Sequence, residues 1–481
     1  MWKSRLYFLL GCWLLILSGL ELIPLFTAAI LSEFAAFQAL FSAFILTVLI
    51  GGALFLGFRS TEKIRIPKLT IILPVAGAFI LAWGAGLPFF FLFPDEGMVP
   101  ALYEGMSLIT TNGTSAYEGL IREGGYSIEL WRGLASWIGG FLGLSIILSF
   151  LTAMNIGGLQ LHRSPLAFGD SEAGYPRMKA TAHTLLPLYL TVTACCMFFL
   201  LLSGVTFADA VLLAFGIIST SGFSPELSYN FNNIGTQIFT IIFLIVSISN
   251  WDVQYAFWRR KKLDHSMHSE LRTSLLMSGM LLLLLIYVMP VETFRTFIDH
   301  AFAVISSVAT FGLYPEAYTK TVSNSVDVSI ILLVGAGIGG AVVGTSGGLK
   351  QLRAIVVFFA GKAEVERLAH PHSVKGIIYQ KDDVQRSDIE AVWLFLGGFV
   401  FILAMGTILL GILGIHFQDA LSMSFSALTL SGPIIDIVDP DFGGFTGLQD
   451  ADYFILTFLM MIGRIEVSLF FALFSKALWR G

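Results

Sequence analysis

Four segments of the chain combine small and hydroxyl-bearing residues with a glycine at a fixed distance. They are residues 101–113, 210–222, 300–312 and 420–432, and each begins with a short, moderately apolar stretch. Glycine permits backbone conformations that other residues resist, and inward-facing carbonyl oxygens can replace the hydration shell of a cation. The pattern therefore predicts a cation filter made of backbone oxygen.

The candidate filter residues are the last four of each segment. They are Thr110, Thr111, Asn112 and Gly113; Ser219, Thr220, Ser221 and Gly222; Ala309, Thr310, Phe311 and Gly312; and Thr429, Leu430, Ser431 and Gly432. A single copy is typical of an ordinary outer loop, because Ser, Thr and Gly are common turn residues. Four copies of one length favour a repeated element instead.

The amino-acid composition indicates the environment in which these segments lie. The 481 residues are 56% apolar and 13% charged, and the mean hydropathy is +0.81, which excludes an ordinary soluble protein. A cleaved leader at residues 1–20 is disfavoured, because the apolar stretch continues to Ile30. Segments long enough to cross about 30 Å of hydrocarbon predict about ten spans. They lie near residues 6–31, 37–58, 69–93, 131–156, 183–205, 235–257, 271–289, 328–358, 390–414 and 453–478.

The charges separate into two layers when every span is counted. Basic clusters at residues 3–5, 59–68, 162–179, 259–262, 353–386 and 476–480 fall on one side, which predicts a cytoplasmic face carrying both termini. Asp and Glu residues, Glu104 among them, fall on the other side. Such an acidic outer vestibule would concentrate cations, although hydrated loops that happen to be acidic are the alternative.

The glycines ending the four segments recur once per pair of spans, which predicts helix, half-helix, loop, helix. Extended backbone cannot face lipid, since each bare polar group costs several kcal/mol in hydrocarbon, so it must line water or ions. We expect an all-α polytopic membrane protein with four pseudo-symmetric helix–pore loop–helix (M1-P-M2) repeats around one pore, plus an extra N-terminal helix pair. The predicted domains are that pair at 1–66 and repeats at 67–165, 166–263, 264–375 and 376–481.

Two features suggest gating. Arg464 lies within a span, where a cation costs about 3 kcal/mol unless it meets water or a partner, so we expect it at the pore. A structural pair with Glu466 or a neighbouring carbonyl is the alternative. A glycine-rich segment, residues 335–348, should break the long span at 328–358, although close helix packing would also explain it. Its glycines are Gly335, Gly337, Gly339, Gly340, Gly344, Gly347 and Gly348.

Little in the chain indicates catalysis. No Walker motif is present, the histidines are scattered as surface residues would be, and Cys12, Cys195 and Cys196 have no metal-ligand spacing. We expect no enzymatic activity, no cofactor and no nucleic-acid partner. A membrane enzyme and an ion-coupled secondary transporter with inverted repeats are the rival classes, and the same-direction fourfold repeat disfavours the latter. Glu21 and Asp252 stay unassigned.

Over nearly its whole length the sequence resembles the TrkH, KtrB and HKT superfamily of potassium transporters, and most closely bacterial TrkH. The resemblance implies backbone filters at the four candidate sites, with glycine at all four favouring potassium over sodium. Two positions differ from the family, since Leu430 replaces a usual Asn and Phe311 replaces a small residue. A sodium or non-selective monovalent cation transporter is therefore the alternative. The matching stretches are residues 110–113, 130–140, 157–160, 219–224, 309–312, 431–433 and 463–466.

The resemblance also implies roles for two further features, the transported ion, the cellular location and the partners. Arg464 would correspond to the filter-proximal arginine of the family and residues 335–348 to its intramembrane gate loop. The transported ion would be K+, with Na+ as the alternative. The chain would lie in the lipid bilayer of a bacterial inner membrane as a homodimer, bound by a cytoplasmic TrkA-like nucleotide-binding regulatory subunit. The basic loop from Arg353 to Arg386 is the predicted docking surface for that subunit.

Overall fold

A computed structural model describes residues 2–59, 67–151, 175–223, 231, 233–260, 269–322, 325–370, 378–379, 382–438, 442 and 444–474. The described chain is helical except for loops and a two-residue hairpin that pairs Ile378–Tyr379 with Asp382–Asp383. The helices are α1 (Trp2–Leu31), α2 (Phe34–Gly57), α3 (Pro67–Leu92), α4 (Met98–Thr110), α5 (Gly125–Ile146), α6 (Tyr175–Leu202), α7 (Phe207–Ser219), α8 (Ile234–Ile248), α9 (Trp251–Arg260), α10 (Ser269–Val288), α11 (Phe294–Val308), α12 (Glu316–Val322), α13 (Val326–Ile338), α14 (Gln351–Ala369), α15 (Arg386–Ile412), α16 (Phe417–Thr429), α17 (Ile435–Val438), α18 (Asp450–Ile465) and α19 (Val467–Leu473).

Among the described residues, seven helices are long and apolar enough to cross a membrane. Two bent pairs raise that number to nine, α8 with α9 at 94° and α18 with α19 at 106°. The eighth predicted span, near 328–358, is divided into α13 and α14 by residues 339–350. The chain is a multi-pass membrane protein, which confirms the predicted all-helical class.

Four short helices alternate with the long ones. α4, α7 and α16 have 13 residues and α11 has 15. At 1.5 Å per residue they extend roughly 20 Å, which is too short to cross about 30 Å of hydrocarbon. Each follows a long helix and precedes another helix of its unit, in the orders α3-α4-α5, α6-α7-α8, α10-α11-α13 and α15-α16-α18, with the small helices α12 and α17 intervening in the last two. Because α18 also packs against α4, the last of these units meets the first.

Close packing brings the C-terminal ends of these short helices inward. A Cβ atom on Gly139 of α5 would overlap the carbonyl of Ile109, and one on Gly463 of α18 would overlap that of Leu428. The two glycines therefore let a long helix cross directly against the end of a short one. The C-terminus of a helix carries partial negative charge, so the packing places that charge where the four segments converge.

The N-terminal pair, α1 and α2, packs against α3 and α5 outside this arrangement. Glu21 is buried within the pair, where its carboxylate accepts a hydrogen bond from the Thr47 hydroxyl at 2.8 Å. Glu33, between α1 and α2, accepts the backbone N–H groups of Tyr126 and Ser127 at 2.9 and 3.0 Å. The loop joining the pair thereby caps the first turn of α5, which connects it to the first repeat.

Candidate ion filter and intramembrane loop

The four candidate filter segments share one backbone turn. The second of the four filter residues in each segment has a left-handed backbone conformation, with φ of 64° at Thr111, 55° at Thr220, 53° at Thr310 and 58° at Leu430. Such a value is uncommon for residues other than glycine and is an outlier for a β-branched threonine. In every copy the N–H of the third residue donates to the carbonyl five positions earlier: Asn112 to Ser107 at 2.8 Å, Ser221 to Gly216 at 2.9 Å, Phe311 to Ser306 at 2.9 Å and Ser431 to Ser426 at 3.1 Å.

The four glycines close these turns into a ring. A Cβ on Gly113 would lie 2.7 Å from the backbone of Gly222 and Phe223. One on Gly222 would overlap the carbonyl oxygen of Phe311, one on Gly312 that of Ser431, and one on Gly432 that of Asn112. Each copy therefore contacts the next, and the fourth contacts the first. Gly113, Gly312 and Gly432 also have positive φ, whereas Gly222 is required by space alone.

Hydroxyl groups in the short helices hold this backbone in place. Ser107 donates to the carbonyl of Thr114 at 2.6 Å, Ser306 to that of Leu313 at 2.7 Å and Ser426 to that of Gly432 at 2.8 Å. These serines occupy one position of the repeat, six residues before the glycine, and Gly216 replaces them in the second copy. The sequence interpretation missed them, although the aligned segments contained the signal.

Several filter side chains contact other groups of the protein. The hydroxyls of Thr110, Ser219 and Thr429 each donate at 2.7 Å to a carbonyl four residues back in their own helix. The two unusual residues, Phe311 and Leu430, are each 1% exposed. Asn112 donates to the Thr114 hydroxyl and accepts the N–H of Gly432 at 3.2 Å, which connects the first segment to the fourth. Backbone oxygen is what these turns can offer an ion.

Residues 339–350, here called the intramembrane loop, connect α13 to α14. Gly339 begins the loop with φ of 71°. The loop donates N–H groups to the bend between α8 and α9: Ala341 to Ile248 O at 2.9 Å, Val343 to Asn250 Oδ1 at 2.9 Å and Thr345 to Ser247 O at 3.1 Å. Asp252, unassigned from the sequence, is buried on α9 just beyond this bend. Irregular backbone at this depth is tolerated because it is satisfied by protein.

The far end of the intramembrane loop touches the candidate filter. Gly347 donates its N–H to the Thr310 hydroxyl at 2.8 Å, and Gly348 donates to the carbonyl of Thr429 at 2.9 Å. The loop therefore lies directly against the filter residues of the third and fourth segments. Gly340 and Gly344 lie within it, whereas Gly335 and Gly337 lie in α13. A Cβ on Gly335 would be 2.7 Å from the Ser307 hydroxyl of α11, so this glycine serves helix packing.

Two buried cations hold the carbonyl oxygens of the intramembrane loop. Arg464 donates to Thr345 O at 2.9 Å, and to Gly139 O and Gly140 O of α5 at 3.0 and 3.3 Å. Lys350, which the sequence interpretation missed, donates to Gly344 O at 3.2 Å and also to Ser346 O. Carbonyls of three consecutive residues are thus bound by cationic side chains. Arg464 fastens the loop to α5.

Three expectations about charged residues were wrong. Arg353, expected on an exposed docking surface, is 1% exposed and pairs with Glu466 at 2.7 Å. His300, expected at the surface, is buried with Nε2 3.0 Å from Met289 O. Glu104, expected in the acidic outer loops of a vestibule, is buried on α4 and pairs with Arg132 at 3.2 Å. In each case at least one polar atom of the side chain has a partner within the protein, which lowers the cost of burial.

The four short helices and their turns form a ring of backbone contacts, and a loop held by buried cations lies against it, within a multi-pass membrane protein. The family model TrkH, described as a cation transport protein, matches residues 37–480, and the chain belongs to this family.

Named relatives match at low identity over almost the full length. The Trk system potassium uptake protein TrkH of Halomonas elongata is 26% identical over 97% of each chain, and that of Escherichia coli K12 is 25% identical over 98% of each. The crystal structure of the potassium transporter TrkH from Vibrio parahaemolyticus aligns over 100% of both chains, with a TM-score of 0.87 and 22% identity. At this sequence identity, the similarity to the crystal structure shows a shared fold.

Proposed function

We propose that this protein takes up potassium ions across a cell membrane through a gated pore and is the transmembrane subunit of a Trk-type system. The closed ring of four filter turns carries the proposal, because each glycine lies against the backbone of the next copy and leaves no room for a side chain. The curated relatives are named potassium uptake proteins, which supports the same ion.

The mechanism follows from what the ring offers. Carbonyl oxygens from four turns replace part of the hydration shell of K+, and the C-terminal ends of α4, α7, α11 and α16 add partial negative charge. No co-substrate is needed for influx, because an inside-negative potential contributes about 2.3 kcal/mol per elementary charge for each 100 mV. The chain supplies the pathway, and the membrane potential supplies the driving force.

The intramembrane loop is the proposed gate. Its contacts with Thr310 and Thr429 support a position at the inner end of the filter, and Arg464 adds a positive charge beside it. An ion passing this point must displace the loop. Opening therefore requires the carbonyls of residues 344–346 to be released from Lys350 and Arg464, after which they could face the ion.

The assembly is also a proposal. The protein works in a bacterial inner membrane as a homodimer, with both termini cytoplasmic and a TrkA-like nucleotide-binding subunit as regulator. Relatives named as parts of a Trk system support a multi-component assembly. Because Arg353 is buried, the regulator would contact the exposed part of α14, and residues 371–377 of the predicted docking surface lie outside the described residues. The chain itself needs no cofactor and performs no enzymatic reaction.

Ion uptake by purified protein in liposomes tests the function. We expect Rb+ uptake above that of protein-free vesicles, driven by an inside-negative potential and competed by external K+. Because a closed gate would also prevent uptake, the measurement is made with and without the regulatory subunit. Absence of flux under both conditions, at every imposed voltage, would refute the proposal.

A second candidate is a sodium or non-selective monovalent cation pathway on the same fold. The departures at Phe311 and Leu430 favour keeping it, since both lie within the filter turns. Competition of Rb+ uptake by Na+ and by K+ separates the two. Equal competition by both ions would replace the potassium assignment with a non-selective one.

A further inference from the structure

The first repeat contains a buried ion network that lies directly behind its filter segment. Glu104 of α4 is 0% exposed, and its Oε1 lies 3.2 Å from Nε of Arg132 on α5. Nη1 of Arg132 lies 3.3 Å from Oε2 of Glu129, which is also fully buried. Two carboxylates and one guanidinium are thereby enclosed between a short helix and the long helix that follows it.

The same network holds the chain immediately after the first filter segment. The second oxygen of Glu104, Oε2, accepts the Ser115 hydroxyl at 2.8 Å and the Ala116 N–H at 3.0 Å. The Ser115 hydroxyl oxygen in turn accepts the N–H of Tyr117 at 3.1 Å. Glu104 therefore bridges α5 and the exit from the first filter segment with a single carboxylate.

A contact extends the network to the second repeat. The guanidinium of Arg132 lies 5.7 Å from the ring centroid of Phe223, within the range of a cation–π interaction. Phe223 directly follows Gly222, and the backbone of both residues lies against Gly113. Arg132 thus touches one filter segment through Glu104 and the neighbouring segment through an aromatic ring.

No other repeat has an acidic residue at the position equivalent to Glu104. The residues equivalent to Glu104, nine positions before the filter glycine, are Leu213, Ala303 and Met423. All three are buried apolar side chains, at 3%, 0% and 0% exposure. Apolar packing has no directional preference, whereas a charge-assisted hydrogen bond fixes both distance and angle. The first filter segment is therefore positioned by a stiffer mechanism than the other three.

We propose that Glu104 and Arg132 are positioning residues that determine cation selectivity, by fixing the distance between the first filter segment and α5. A smaller ion such as Na+ is excluded only if the carbonyls cannot close around it. Glu104 prevents that inward movement by holding the residues after the turn against Arg132. The inference rests on the proposed function.

Competition experiments on reconstituted protein test the inference. Glu104→Gln keeps the size of the side chain but removes its charge and replaces one acceptor oxygen with an NH2 donor, so the bridge between Arg132 and the residues after the filter weakens. We expect the variant to conduct Rb+ while its preference for K+ over Na+ falls about tenfold, the change that 1.4 kcal/mol of differential binding produces. Glu21→Gln is the matched control, because it is the same substitution at a buried carboxyl of the N-terminal pair. It should keep the wild-type preference.

Arg132 variants separate a positioning role from a merely structural one. Arg132→Lys keeps the positive charge but loses the planar guanidinium with its several N–H donors. Its preference for K+ over Na+ should therefore lie between that of the wild type and that of Arg132→Gln. A folded Glu104→Gln protein with the wild-type preference overturns the inference. If that variant does not fold, Arg132→Lys decides, since a wild-type ratio in the surviving protein would equally overturn it. Failure of the proposed function looks different, because wild-type protein would then carry no Rb+.

Discussion

The candidate filter and the intramembrane loop lie in contact, yet they are built in opposite ways. The filter is four copies of one turn, with left-handed residues at Thr111, Thr220, Thr310 and Leu430, and it is closed by backbone touching backbone. The loop occurs once in the described chain and is held by backbone hydrogen bonds to the bend between α8 and α9 together with side chains from distant positions. The ring repeats one close backbone contact four times, whereas the loop depends on individual hydrogen bonds that can be released one by one.

That difference has a physical basis. Backbone packed against backbone can yield only by moving whole helices, since atoms at van der Waals contact tolerate little compression. Hydrogen bonds from Lys350 and Arg464 can be exchanged for bonds to water or other groups when the loop moves. The filter is thus suited to constant geometry, and the loop to two positions.

The largest expected effect comes from breaking the ring. Gly222→Ala would place a methyl group on the carbonyl oxygen of Phe311, so we expect Rb+ flux to fall more than about a hundredfold, as a loss near 3 kcal/mol at the barrier would produce. Gly279→Ala, in α10 with no atom within 4 Å of the added group, is the control and should keep wild-type flux. Normal flux through a folded Gly222→Ala protein would show that the ring is not the pathway.

Releasing the loop should act in the opposite direction. Arg464→Gln removes the bonds to Thr345, Gly139 and Gly140 and also a positive charge beside the pathway, so we expect flux without the regulatory subunit to rise about tenfold. Arg386→Gln changes a side chain that is 93% exposed and should leave flux unchanged. A fall in flux for folded Arg464→Gln would contradict a gating role.

Removing a hydroxyl brace tests how much each copy contributes to the ring. Ser306→Ala deletes the bond to Leu313 O and should lower Rb+ flux about fivefold, the equivalent of roughly 1 kcal/mol for one hydrogen bond. Ser42→Ala deletes a serine-to-backbone bond in α2, far from the ring, and should have no effect on flux. Equal behaviour of both variants would mean that the serine braces do not position the filter.

The smallest effect is expected outside both regions. Thr47→Val removes the donor to Glu21 in the N-terminal pair, so thermal unfolding in detergent should shift by the equivalent of about 1 kcal/mol while flux stays the same. Measuring melting and uptake on one preparation checks both statements. A change in uptake comparable with that of Ser306→Ala would place the N-terminal pair among the elements that set filter geometry.

Much of the architecture is encoded locally and was predictable. Long apolar stretches determine membrane helices, because lipid requires every backbone polar group to be satisfied within its own segment. The four aligned segments predicted where the chain turns back, and the structure places a left-handed residue at one position in all four. The break in the span near 328–358 was also predicted, although Gly335 and Gly337 proved to be helical.

Tertiary structure alone decided the contacts between distant charges and backbone. Arg464 meets Gly139 across 325 positions of the chain and Thr345 across 119. Arg353 and Glu104 found buried partners in place of water. Helix periodicity and repeat length report on neighbours in sequence and on equivalent copies. They carry no information on which carbonyl a buried cation will reach, because that depends on how separate helices pack.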